Sequence, residues 1–204
     1  MTGNPADFSD EELMLRCIKA DADSAREIVG IIAERFHVRL LRHLCRMSLK
    51  EAAAEDIVQE VFLRLFRHRR RYETKAKVST WLFKIAANLA LNAMRDEKRK
   101  AHLSLSAEID DEGHDFSSIT ASKGEKPDET MAKKDLQRIV REILMKVPEN
   151  HRIALSLCDV EGMSYSEAAK ALDVPVGTIR SRLSRAREDF LVRFAIYRGE
   201  LEGR

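Results

Sequence analysis

Between Ser164 and Phe190 the chain carries two helical patterns separated by a break of only five residues, and no other stretch limits its fold as tightly. Ser164 followed three residues later by Glu167 predicts a capping box. Ala168, Ala169 and Leu172 then continue a helix of about two turns. Asp173 to Gly177 predicts a turn, and a longer helix follows in which Ile179, Leu183, Ala186 and Phe190 share one face. Two helices across so short a turn make a helix-turn-helix. The remaining surface of the second helix is Arg180, Ser181, Arg182, Ser184, Arg185 and Arg187, which suits a DNA major groove. Guanidinium groups fork onto guanine edges or pair with phosphates, and the short Thr178 and Ser181 near the helix start allow close approach. A helical hairpin with a solvated basic face is the blander reading. The short turn, the small alanines and the six basic and hydroxyl residues between 180 and 187 argue against it.

The rest of the chain speaks for helices too. Charged residues are 34% of the sequence and aromatics 6%, with 8 Gly and 4 Pro, so helix formers abound and turn and strand signals are sparse. Ser9 with Glu12 predicts a capped first helix reaching about Ala20. A longer helix follows Asp21 and Asp23, with Ile28, Ile31, Ile32, Phe36, Leu40, Leu41 and Leu44 on its core face. A third helix is expected from Lys50 to His68, with Ile57, Val58, Val61, Phe62, Leu65 and Phe66 inward; its first half is acidic and its end strongly basic. Arg69 to Lys77 breaks the pattern. Ser79 or Thr80 then caps a fourth helix, in which Trp81, Leu82, Ile85, Ala86 and Leu89 face inward and Lys84, Asn88, Asn92 and Arg95 form a polar stripe. After residue 130, Leu136, Ile139, Val140, Ile143 and Leu144 make one helix that ends at Pro148. Ile153 to Cys158 centre another, closed by Gly162.

Charge is unevenly distributed. Residues 1 to 100 hold 20 basic and 15 acidic side chains, residues 101 to 130 hold 2 and 8, and residues 131 to 204 hold 14 and 11. The middle segment, with Ser104, Ser106, Gly113, Ser117, Ser118, Gly124 and Pro127 and no sustained periodicity, has a linker's composition. The expectation is an all-α protein of two small helical domains, 1–100 and 133–204, joined by a flexible acidic linker over 101–132. Two basic lobes flanking an acidic connector suit a polyanionic partner.

Several functions are not supported. Cys17, Cys45 and Cys158 are odd in number and far apart, so they suggest ordinary reduced thiols, and apolar neighbours suggest that they are buried. His43 and Cys45, two positions apart on a helix, point in different directions and make a poor metal pair. There is no Gly-rich phosphate loop, no His-Glu metal motif and no nucleophile with a base, so no cofactor and no enzymatic activity are expected. No stretch approaches the length of a membrane span, and the acidic N-terminus does not resemble a signal peptide, so a cytoplasmic protein without membrane insertion is expected.

The segment DVEGMSYSEAAKALDVPVGTIRSRLSRARE, Asp159 to Glu188, resembles region 4 of extracytoplasmic-function sigma factors of the sigma-70 family. Asp56-Ile-Val-Gln59-Glu60-Val-Phe62-Leu-Arg-Leu65 resembles that family's polymerase-binding region 2.2, and Ser79-Thr-Trp81 to Asn88 resembles regions 2.3 and 2.4. The resemblance implies a subunit that directs core RNA polymerase to promoters. It assigns Asp56, Gln59 and Glu60 to the clamp helices of the largest polymerase subunit. The loop from Tyr72 to Lys77, with Lys75, Lys77, Lys84, Asn88 and Asn92, would hold a flipped base of the −10 element, while Arg95, Lys98, Arg99 and Lys100 would hold its phosphates. Trp81 could serve as a stacking platform but, on the apolar stripe, reads better as core. Thr178, Arg180, Ser181, Ser184 and Arg185 would contact the −35 element, with Arg182 and Arg187 on phosphate. The implied partners are core polymerase, including its flap region, promoter DNA and an anti-sigma factor. Ser184 stands where the family often has an aromatic, and Glu73 to Lys77 differ from its usual Gly-x-Ala-like loop, which bears on base preference.

Two rivals compete with this reading. A helix-turn-helix regulator that does not join polymerase explains residues 133 to 193 but leaves the acidic helix and the Trp81 helix without a role. A recombinase-like enzyme would need a catalytic sheet, and the first 100 residues show no strand pattern.

Overall fold

A computed structural model describes residues 7–47, 49–73, 76–103 and 127–202, and the regular elements among them are all helical. They fall into two compact units, one built mainly from residues up to Ala107 and one mainly from Glu108 onward.

The first unit comprises α1 (Asp10–Lys19), α2 (Ala22–Arg46), α3 (Glu51–His68) and α4 (Val78–Leu103), with a 3-10 turn at Arg69–Arg71. The capping box at Ser9 forms: its hydroxyl accepts the Glu12 N–H at 3.2 Å, and the Glu12 carboxylate accepts the Ser9 N–H at 2.8 Å. Asp21 starts α2 by accepting the N–H groups of Asp23 and Ser24, each at 3.0 Å. Ile28, Ile32, Phe36, Leu40 and Leu44 recur every fourth residue along α2, and all five are buried. Ile31, placed in the core from its periodicity, sits at the margin instead. On α3 the expected face is buried at Ile57, Val58, Val61, Phe62 and Leu65, whereas Phe66 lies at its edge.

α4 departs from the sequence reading in two ways. It begins at Val78, and its first N–H is capped from another helix: Val78 donates to the Glu11 carboxylate at 3.2 Å. Neither Ser79 nor Thr80 is needed as a cap, and Thr80 is buried within the helix. Its inward face is also turned. Leu82, Phe83, Ala86, Ala87, Ala90 and Met94 are buried, while Trp81, Ile85 and Leu89 stand on its flank. The buried face carries small side chains at 86, 87 and 90 as well as large ones, α4 packs against α3, and Trp81 is left partly in solvent. His43 of α2 is enclosed beside this face, edge-on to the Phe83 ring at 5.1 Å.

The second unit comprises α5 (Pro127–Lys146), α6 (Glu149–Leu155) running into a π-helical turn (Ser156–Val160), α7 (Tyr165–Leu172) and α8 (Val176–Glu202). Helix therefore occupies both ends of the span assigned by composition to the linker, with α4 reaching Leu103 and α5 opening at Pro127, a residue that suits a first turn. The middle of that span, residues 104–126, lies outside the described residues. Ile139 and Ile143 of α5, Ile153 and Ala154 of α6, Leu157, Ala168 of α7, and Ile179, Leu183 and Ala186 of α8 are buried. Arg152 is buried as well, and its guanidinium donates to the carbonyls of Leu144, Met145 and Val147 at 3.0, 3.2 and 3.3 Å. It satisfies the orphan acceptors at the end of α5 and keeps its charge on hydrogen bonds, although burial pulls its pKa down. Gly162 closes the α6 segment at φ +69°, with Met163 N–H donating to the Leu157 carbonyl at 3.0 Å.

Candidate nucleic-acid interface

Each of three helices has one stripe committed to a core and another left in water. On α3, Asp56 and Gln59 are exposed and Glu60 is partly so. The Glu60 carboxylate accepts the Arg64 Nε–H at 2.7 Å, and that hydrogen bond lowers its pKa. Leu63, one turn further on the same stripe, is 49% exposed. Sequence periodicity passed over it because a lone leucine among charges reads as noise. Beside two acids and an amide it supplies an apolar contact to the same face.

On α4, Asn88, Asn92, Arg95 and Arg99 are exposed, and Lys84 and Trp81 are half-buried. Trp81, Ile85, Asn88 and Asn92 follow one another at helical spacing, so the indole lies on the rim of the polar stripe. Arg99 lies 3.5 Å from Asp96. Tyr72 is held inside: its ring lies 5.5 Å from that of Trp81, and its hydroxyl donates to the Ala76 carbonyl. Burial foremost, then the nearby Glu11 carboxylate, pushes its phenol up to about 12, so it stays a donor. Tyr72 thus anchors the chain leading into α4, while Lys77 is exposed next to it. Lys75 lies outside the described residues, as do the side chains of Lys98 and Lys100.

The helix-turn-helix forms as expected. Ser164 N–H donates to Glu167 at 2.8 Å, and Glu167 N–H to the Ser164 hydroxyl at 3.2 Å. The turn passes through Asp173 at φ 53°, with Val174 N–H on the Ala169 carbonyl at 3.1 Å. Opposite the buried stripe of α8 lie Ser181, Ser184 and Arg185, all exposed, with Arg180 on one flank and Thr178 and Arg182 on the other. Ser181 donates its hydroxyl to the Thr178 carbonyl at 3.0 Å.

Arg187 is placed differently from its neighbours. Its guanidinium grips Asp159 with two hydrogen bonds, at 2.9 and 2.6 Å. Hydrogen bonds to Asp159 and then to Tyr165 raise its already high pKa. It ties the end of α6, the start of α7 and the middle of α8 together. The three cysteines are free and buried; burial, then Asp159, pushes Cys158 up to about 11, and burial also raises Cys17. Among the described residues no group of three or more His, Cys, Asp or Glu is arranged to hold a metal ion, and no helix is long and apolar enough to cross a membrane.

An arginine- and serine-faced second helix across a tight turn is the geometry of a DNA-binding protein. Comparison with known proteins extends this to both units. The profile of sigma-70 region 2 matches residues 32–100, and that of sigma-70 region 4 matches residues 137–190. The ECF RNA polymerase sigma-E factor of Escherichia coli strain K12 is 36% identical over 183 residues, covering 89% of this chain and 92% of its own. The ECF RNA polymerase sigma factor SigW of Bacillus subtilis strain 168 is 31% identical over 172 residues, covering 83% and 88%. In fold, the chain is similar to the sigma factor RpoE of Bartonella quintana, solved in complex with the anti-sigma factor NepR, with a TM-score of 0.64, 24% identity, and coverage of 82% and 98%. CnrH, solved with the cytosolic domain of CnrY, gives a TM-score of 0.63 at 21% identity, covering 92% and 97%.

The chain belongs to the extracytoplasmic-function sigma factors of the sigma-70 family. It is a transcription initiation factor and not an enzyme, which sets aside both rival readings: region 2 accounts for the N-terminal helices that a free-standing regulator left without a role.

Proposed function

We propose that this sigma factor joins core RNA polymerase through the outer stripe of α3, with Asp56, Gln59 and Glu60 on the clamp helices of the largest subunit and Leu63 packed among them. Lys75, Lys77, Lys84, Asn88 and Asn92 hold a flipped base of the −10 element in a loop anchored by Tyr72, and Arg95, Lys98 and Arg99 take its phosphates. The −35 element is read by Thr178, Arg180, Ser181, Ser184 and Arg185, with Arg182 on phosphate and Arg187 able to join it there on leaving Asp159. Residues 1–100 and 133–204 act as the two recognition domains, the latter also meeting the polymerase flap, and an anti-sigma factor restrains both in the cytoplasm.

One observation carries this reading: on α3, α4 and α8 the polar stripe lies opposite the buried one, so each is free to bind without disturbing a core. Steps at the −10 element depend on amide and cation contacts to an unstacked base, and Asn88 beside Lys84 and half-buried Trp81 supplies that chemistry. The deciding experiment is transcription in vitro from a genomic promoter library with core polymerase, with and without the protein. New starts sharing paired −35 and −10 motifs support the proposal. No new starts, with DNA binding intact, refute it.

A further inference from the structure

The basic end of α3 has no part in the function so far described. Arg67, His68, Arg69, Arg70 and Arg71 follow one another through the last turn of α3 and the 3-10 turn after it. A helix C-terminus favours nearby cations, which would explain one or two of them. Arg69 already fills that role: its guanidinium donates to the Phe66 carbonyl at 2.9 Å and lies 4.8 Å from the Phe66 ring. Arg67, Arg70 and Arg71 are exposed, and none of the three makes a hydrogen bond or ion pair among the described residues. Arg67 feels the Glu60 carboxylate, but that acid is bonded to Arg64. Three exposed guanidiniums within five residues raise the local positive potential and leave their donors open to a polyanion.

Their position in the chain says what arrives there. Arg71 is followed directly by Tyr72, whose ring lies 5.5 Å from Trp81, and Trp81 borders the Asn88 and Asn92 stripe of α4. Exposed cations that lead in the chain to a Tyr72–Trp81 pair, with the amides and cations of α4 beyond it, match the way a single nucleic-acid strand is held: bases on the π face, phosphates on the arginines. We infer that Arg67, Arg70 and Arg71 form a second phosphate-binding site for the promoter strand, extending the α4 surface beyond its N-terminal end. The inference rests on the assignment of α4 to the −10 element.

The test is anisotropy of a fluorescein-labelled oligothymidylate with the full chain, titrated between about 50 and 300 mM salt, with polymerase affinity measured in parallel. Arg67→Gln/Arg70→Gln/Arg71→Gln flattens the slope of log affinity against log salt by about two, at roughly 0.7 per single-strand phosphate contact. The triple lysine variant keeps the slope, and polymerase affinity is unchanged. Lys50→Gln, at the far end of α3, leaves the slope alone. Should the triple glutamine variant fail to fold, Arg70→Gln and Arg71→Gln singly each carry about a third of the effect. An unchanged slope in the triple variant, while Lys84→Gln/Arg95→Gln flattens it, overturns the new site and leaves the assignment of α4 standing. Equal loss per charge in Lys50→Gln shows nonspecific attraction and overturns it too. Lost polymerase binding in the triple variant does the same, by assigning the cluster to a protein partner. If the α4 variant also leaves the slope intact, the assignment of α4 fails along with the site.

Discussion

At the scale of the residue, Arg187 shows best how placement alters a role. Periodicity gives six basic or hydroxyl positions on one helix and cannot single out Arg187, because its partner is 28 positions away. With Asp159 gripping it, Asp159→Asn should release a guanidinium toward DNA. The salt slope of −35 duplex binding should steepen by about 0.9, while Asp159→Glu leaves it near the parent value; an unchanged slope in Asp159→Asn would assign the pair a purely structural role. Arg180→Ala should cost about 1–3 kcal/mol at the −35 element and spare polymerase binding, which promoter titration and subunit pull-down separate. Tyr72 carries a pH signature. Its phenol is raised from 10.0 to about 12, so the stability it lends is full below about pH 10 and is lost as pH climbs through about 12, when the folded form must also ionise. Denaturation midpoints at about pH 9 and pH 11.5 should diverge between the parent and Tyr72→Phe, the lysines cancelling in the difference.

At the scale of the element, local signals were legible and remote ones were not. The capping boxes at Ser9 and Ser164 and the closure at Gly162 rest on residues within a few positions of one another, and each formed as read; the turn after Leu172 is shorter than read, because α8 opens at Val176 and takes Gly177 into its first turn. The start of α4 was misread because its cap, Glu11, comes from 67 positions away. Its face was misread because hydropathy favours Trp81 and Leu89 over Ala87 and Ala90, which are the residues buried. Arg152 was missed for a similar reason: a buried arginine is rare, and only the three carbonyls ending α5 explain it. Arg152→Ala should lower unfolding free energy by about 1–3 kcal/mol in urea titrations, with Arg152→Lys intermediate. Gly162→Ala should cost about 1–2 kcal/mol by the same measure; an added Cβ meets nothing within 4 Å, so the cost is all backbone conformation.

At the scale of the molecule, a sigma factor has to serve a polymerase and two DNA elements with one chain, and the proposed assignment gives each task to a different helix face. Asp56→Ala with Gln59→Ala should weaken polymerase binding while oligonucleotide binding by the same protein persists, and equal loss of both would contradict that division. The buried face of α4 has a consequence for descent. Because Leu82, Phe83, the three alanines and Met94 carry the packing on one side of the helix, Asn88, Asn92 and Arg95 on the other can change without disturbing it. Surface changes of that kind shift stability by no more than about 0.5 kcal/mol. With α4 assigned to the −10 element as proposed, duplicated copies of such a gene can acquire new promoters one side chain at a time, with the fold as a bystander.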